Sequence, residues 1–389
     1  MPRQSDYSGL AIFSYGFRPF FFFGSIYAAL AVMVWLPVFH GHFELVNAFA
    51  PRDWHVHEML FGYAAAVVTG FLLTAIPNWT GRLPFQGKPL MLLFATWVAG
   101  RVAVLASAEI GWAAAMVIDA AFLILVAAAA AREIVAGRKW NNLKVVVIIS
   151  LLALTNIAFH LEAHFSGIAD YSSRGGIAFV IALIMLIGGR IVPSFTRNWL
   201  ARRPAGPMPV PFNRFDGIVV AISVAALAIW IASPVSKLAA TVLIAAGCLQ
   251  VIRLVRWAGY RTAADPLVLI LHIAYAFVPV GFLLSGLGAL DVILPSAGIH
   301  AWTAGAIGTM TLAVMSRASL GHTGRRLAAS IATQGVFAAI VVAAVARICA
   351  ALLPDDMMTF LPIAGFAWVI AFIGFAIVYA RVLCLPRSA

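Results

Sequence analysis

The 389 residues are 63% apolar and only 10% charged, a composition that excludes a soluble globular domain and leaves an integral membrane protein. The net charge of +12 comes from basic residues scattered between apolar runs rather than gathered on one face. It therefore points to membrane topology and to no nucleic-acid partner. Three cysteines, Cys248, Cys349 and Cys384, lie far apart with no CxxC or CxxCH, which excludes a disulfide framework, a thiolate zinc site and covalently attached haem.

In chain order, apolar runs fall at about 17–39, 54–78, 89–107, 111–131, 143–165, 176–199, 215–232, 236–256, 266–287, 297–316, 328–352 and 359–383. Roughly 20 residues at 1.5 Å each cross about 30 Å of hydrocarbon. The chain is thus expected to be an all-α polytopic transmembrane bundle of about twelve helices, a single integral membrane domain over residues 1–389 embedded in a lipid bilayer. The first run is too long for a signal-peptide core and reads as the first permanent helix. One set of alternate connections carries most of the Lys and Arg, while the other holds only Arg52, Arg174 and Lys237. By the positive-inside rule both termini are cytoplasmic. No clear sequence repeat links the two halves.

Against this background the histidines form a pattern. His40 and His42 end the first helix, His55 and His57 open the second beside Asp53, its expected N-cap, and His160 and His164 lie near the exit of the fifth. His300 opens the tenth, so all seven lie on the outer side. His55 and His57 point to roughly opposite faces, whereas His160 and His164, four apart, share one face and can converge on a single ion. Interfacial anchoring is the competing reading for each. Imidazole without thiolate suits copper or haem iron, with zinc as runner-up. His272, two turns into the ninth helix, is either a satisfied core histidine or an axial ligand of a cofactor near the cytoplasmic side. His322 lies in a turn among Arg317, Arg325 and Arg326, which would suit a haem propionate.

Two further features carry charge into the bilayer. Arg101 and Asp119 flank a tight hairpin at similar depth and are expected to pair, with a proton path as the alternative. Arg190 precedes Pro193 in IGGRIVPSFTRNW, where a broken helical ladder is tolerated only against protein or a cavity.

Five blocks together resemble the NnrS family: GFRPFF at Gly16–Phe21, WHVHEMLFG at Trp54–Gly62, GFLLTAIPNWTG at Gly70–Gly81, GGRIVPSFTRN at Gly188–Asn198 and HAWTAGAIGTMTLAVMSRASLGHTGR at His300–Arg325. The resemblance implies a multi-pass protein of the bacterial inner membrane that carries haem b and copper and protects against nitric oxide and nitrosative stress. It also implies bacteria that make nitric oxide in denitrification or meet it. His55, His57 and His300 lie inside the family blocks, while His160 and His164 come from spacing. Two rivals remain at this point. One is a haem-copper redox enzyme acting on nitric oxide or a quinol donor; the other is a transporter of a metal, haem or small anion.

Overall fold

The computed structural model describes residues 7–386; the expected cytoplasmic ends, with Arg3 and Arg387, fall outside the described residues. Those residues form helices joined by short connections, with no strand among them. Eleven helices are long and apolar enough to cross a membrane. They are α1 (Phe17–Phe39), α2 (Pro51–Thr80), α3 (Lys88–Leu105), α4 (Trp112–Ala136), α5 (Trp140–Ser166), α6 (Asp170–Leu200), α7 (Arg214–Ala232), α8 (Lys237–Val255), α9 (Pro266–Ala289), α11 (Ile331–Leu352) and α12 (Pro354–Cys384). Between α9 and α11 an unbroken helix, α10 (296–322), takes the remaining expected position. It is more polar than the others because His300, Thr303, Thr309, Thr311, Ser316, Arg317 and Ser319 interrupt its apolar run.

By its contacts the chain forms two units: Met1–Phe179 with Ala318–Arg325 and Phe375–Ala389, and Val180–Arg317 with Arg326–Gly374. In the first, α3 packs on α4 and α4 on α5, and α1 packs on α2. In the second, α7 packs on α8, α8 on α9, and α9 on α10. Short connections make these neighbours antiparallel, and each buries an apolar stripe that would otherwise face only lipid.

Three helices contain a π-helical stretch: Glu58–Ala64 in α2, Ile184–Gly188 in α6 and Ala301–Gly308 in α10. A π-turn widens the ladder, so a backbone carbonyl can take an outside donor, and such turns gather at functional sites. Trp97 Nε1 donates to Gly62 O at 2.9 Å, and Arg253 Nη1 to Met185 O at 3.2 Å. The same three helices carry a threonine toward their C-terminal ends, Thr80 and Thr323 at the end itself and Thr196 one turn before α6 stops at Leu200. Each threonine hydroxyl donates back to the carbonyl four residues earlier, at 2.8, 2.9 and 2.6 Å. In α2 and α10 a histidine, a π-stretch and a terminal Thr-Gly-Arg follow in the same order, with Gly81 and Gly324 both left-handed. A repeat that side-chain identity hides is thus visible in the backbone.

The second unit encloses a polar core around Arg253, which is fully buried. Its Nε donates to Asp216 Oδ1 at 3.1 Å and its Nη1 to Tyr275 Oη at 2.7 Å. Tyr275 donates to Gln250 Oε1 at 2.9 Å, and Gln250 Nε2 to Ser223 Oγ at 2.9 Å. Removing one partner of a buried ion pair strands the other, at a cost of about 3–5 kcal/mol, whereas a lost back-bonded hydroxyl costs about 1 kcal/mol. Arg253→Met should therefore lower the melting temperature in detergent far more than Thr80→Val. Equal shifts would show that Arg253 is not a structural keystone.

Candidate metal centre

Five helices of the first unit meet at one buried polar cluster. Tyr27 comes from α1, His57 and Glu58 from α2, Arg101 from α3, Asp119 from α4, and Asn156 and His160 from α5. All but Tyr27 are buried in a bundle otherwise apolar. The start of α2 is fixed first: Pro51 opens the helix, and Asp53, expected as its N-cap, sits inside the first turn. Its Oδ2 accepts from Ala169 N at 2.8 Å at the start of α6, and Arg52 braces Asp53 and Asp170, at 2.9 and 2.8 Å. His57 then closes the α-helical turn and Glu58 begins the π-stretch. Adjacent side chains on an ordinary helix diverge by about 100°. Here both reach one cluster, with His57 Nδ1 2.8 Å from Glu58 Oε1.

Arg101 joins the carboxylates. Its Nη1 donates to both Glu58 oxygens at 2.8 Å, and its Nη2 bonds Asp119 Oδ1. The pairing of Arg101 with Asp119 expected from their depth is present, and Glu58 adds a third member. The Gly62 position must lack a side chain, since a Cβ there would meet Arg101 Nη1 at 2.7 Å and Tyr27 at 2.9 Å. Tyr27 Oη donates to Glu58 Oε2.

The far side of Asp119 holds the histidines. Asn156 Nδ2 donates to Asp119 Oδ2 at 2.8 Å, which turns its Oδ1 to His57 Nε2, at 3.0 Å. His57 Nε2 and His160 Nε2 lie 3.2 and 3.3 Å from Asp119 Oδ2. Ligands about 2.0–2.2 Å from one tetrahedral ion stand about 3.3–3.5 Å apart, close to both spacings. One ligand atom each from His57, Asp119 and His160 lies within 4.8 Å of the others, so these residues fit a metal ion. Charge favours the same occupant: Glu58 and Asp119 carry two negative charges against one on Arg101. The excess is met by a proton on His57, whose two ring nitrogens both face acceptors, or by a cation in its place. Phe49, Phe61 and Phe159 pack on the His57 ring at 4.9, 5.2 and 5.2 Å, and Phe49 lies 4.9 Å from His160.

The other expected site residues lie elsewhere. His55 stacks on Trp35 at 4.6 Å, on the face opposite His57. His164 is exposed and stacks on Trp112 at 4.2 Å, so it does not converge with His160. His300 belongs to the second unit, where its Nδ1–H donates to Ser296 O at 2.8 Å. His272 Nε2 donates at 2.7 Å to Thr196 Oγ1, whose own proton goes to Val192 O; its buried Nδ1 meets no donor among the described residues. His322 stacks on Tyr15 at 5.7 Å, and the Arg317 guanidinium lies 4.1 Å over the Phe195 ring. Arg190 is exposed.

Asn156, Tyr27 and Phe49 escaped the sequence reading. Asn156 carried a usable signal, because an amide four residues before His160 shares its face in a helix that is otherwise apolar.

The family model described as NnrS protein matches residues 11–387, nearly the whole chain. No curated protein sequence matches it closely.

Because Arg101 serves two carboxylates, its loss strands both. Arg101→Met should destabilise the protein by about 3–5 kcal/mol, and adding Asp119→Leu should recover part of that loss. Losses that simply add in the double variant, read by denaturation in detergent, would mean that the two groups do not interact.

Proposed function

Because the chain belongs to the NnrS family, we propose that it is a metalloprotein of the bacterial inner membrane that protects against nitric oxide, with His57, Asp119 and His160 holding one copper ion. The observation that carries this reading is the convergence of two imidazoles and one carboxylate oxygen in a buried polar cluster. Nitric oxide is small, uncharged and lipid-soluble, so a site inside the bilayer meets it without a polar channel. A copper ion there would supply a one-electron redox centre open to such a ligand.

The protein's own groups have separate tasks in this reading. His57 and His160 bind through Nε2, and Arg101 holds Asp119 by Oδ1 so that Oδ2 faces the imidazoles. The Glu58 carboxylate orients His57 through Nδ1, the kind of outer partner that fixes a metal-binding imidazole. Phe49, Phe61 and Phe159 exclude water. The cluster has no room for a porphyrin, since phenyl rings pack directly on its imidazoles, so it does not fit haem b. His300, which lies inside a family block and whose Nδ1–H is oriented by a backbone carbonyl, is the proposed haem ligand instead.

A redox enzyme is the second reading, supported by one feature. The chain Tyr27–Glu58–His57 is continuous in hydrogen bonds up to Nδ1 of a ligand imidazole and would hold a transferable proton on Tyr27 Oη at its far end. The donor set is also one that non-haem ferrous iron takes.

Metal analysis with optical and EPR spectra on purified protein tests both. His57→Ala, His160→Ala and Asp119→Asn should each weaken copper binding at least tenfold, while His55→Ala and His164→Ala retain it. His300→Ala should remove a b-type spectrum and leave the copper. Well-folded wild-type protein that takes up neither copper nor iron would overturn the metal reading, and iron in place of copper would favour the ferrous site.

A further inference from the structure

The connection between α1 and α2 carries two imidazoles that the buried cluster does not use. Helix α1 ends in a Schellman turn: Gly41 adopts φ 71°, His42 N donates to Pro37 O at 2.9 Å and Gly41 N to Val38 O at 3.0 Å. Side chains two apart on a regular helix do not face each other. Here the left-handed glycine swings the chain so that His40 and His42 come together, with ring centroids 6.0 Å apart and planes at 34°. Two imidazoles bound to one ion at about 2.0–2.1 Å hold their centroids roughly 4.5 Å apart when adjacent and about 6.4 Å when opposed, a range that includes that spacing. His42 is exposed and His40 half-buried, so the pair is open to the medium.

At its other end, the same connection covers the buried site. The Phe49 ring, 8% exposed, lies 4.9 Å from both His57 and His160 and 5.5 Å from Phe159. It is held by two light tethers: Ala48 N donates to Ser107 Oγ and Phe49 N to Asn47 Oδ1, each at 2.8 Å. A fully buried ion site needs an entry path. Of the three phenyl rings on the His57 imidazole, Phe49 is thus the most exposed, and it sits on a short connection that begins with His40 and His42.

We propose that His40 and His42 form a surface capture site for Cu2+, and that this site loads the His57–Asp119–His160 centre past Phe49. The delivery half rests on the metal reading above; the capture half stands on the His40–Gly41–His42 turn alone. Imidazole pairs bind Cu2+ most tightly of the common divalent ions, so a capture pair of this kind selects copper before the buried ligands see it.

Full-length protein in detergent is titrated with Cu2+ and followed by EPR after rapid freezing. Wild type should show an early signal from the exposed pair that decays into a second, buried signal. His57→Ala/His160→Ala should keep the first signal and lose the second, and His40→Ala/His42→Ala should fill the buried site at least tenfold more slowly. Gly41→Val, strained in the left-handed region, should weaken the early signal, and Phe49→Ala should speed the transfer. A buried signal that forms without a precursor, or loading that is unchanged in His40→Ala/His42→Ala, overturns the proposal. If His57→Ala/His160→Ala does not fold, the early and late signals of the wild type decide the matter alone. An early signal with no buried one in the wild type overturns delivery and the buried metal reading while the capture pair stands; a buried signal with no early one overturns the capture pair alone.

Discussion

The first unit depends on the Arg101 guanidinium, which lies between Glu58 and Asp119 in surroundings that cannot hydrate any of them. Without it, two carboxylates would be buried within reach of one another and the helices that carry them would be driven apart. With it, α2, α3 and α4 are joined at one depth, and Asn156 and His160 are drawn in from α5 because Asp119 still has lone pairs to satisfy. The candidate metal centre is therefore a by-product of charge pairing as much as a set of ligands. Its ligand atoms are held in place by groups that would be needed there whether or not an ion is bound.

The second unit handles the same difficulty differently. Arg253 has one nearby carboxylate, and its Nη1 donates to a π-helical carbonyl and a tyrosine hydroxyl. Arg256 lies 3.6 Å from the same carboxylate, so that arrangement has no excess of negative charge, and it gathers no pair of imidazoles. The contrast separates a polar core that stabilises from one that leaves room for a cation: in the first unit negative charge exceeds the guanidinium that offsets it, and in the second it does not.

Much of this was legible before any coordinates. Helix number and class follow from run lengths, and the Arg101–Asp119 pair follows from counting residues on either side of a tight hairpin. The opposite aims of His55 and His57 follow from helical angle alone, and the structure places them on Trp35 and Asp119 accordingly. What could not be read is rotation about the helix axis at finer grain. His160 and His164 share a face by spacing, yet about 40° of offset puts one in the core and the other on Trp112. The π-stretch that lets Glu58 and His57 act together has no sequence signature, because it arises from what the neighbouring helices demand. Asp53 shows the same limit: its capping chemistry was read correctly and assigned to the wrong helix, since its partner Ala169 is far away in sequence.

The matching ends of α2 and α10 have a different consequence. These are the second and tenth helices of the chain, and each ends in Thr-Gly-Arg with the threonine hydroxyl turned back on its own helix and the glycine left-handed. A scaffold made of like pieces has an evolutionary freedom that a unique fold lacks. One copy can accumulate charged and ligating residues while the other goes on supplying helix length and packing, so new chemistry can be tried in one repeat without putting the whole architecture at risk.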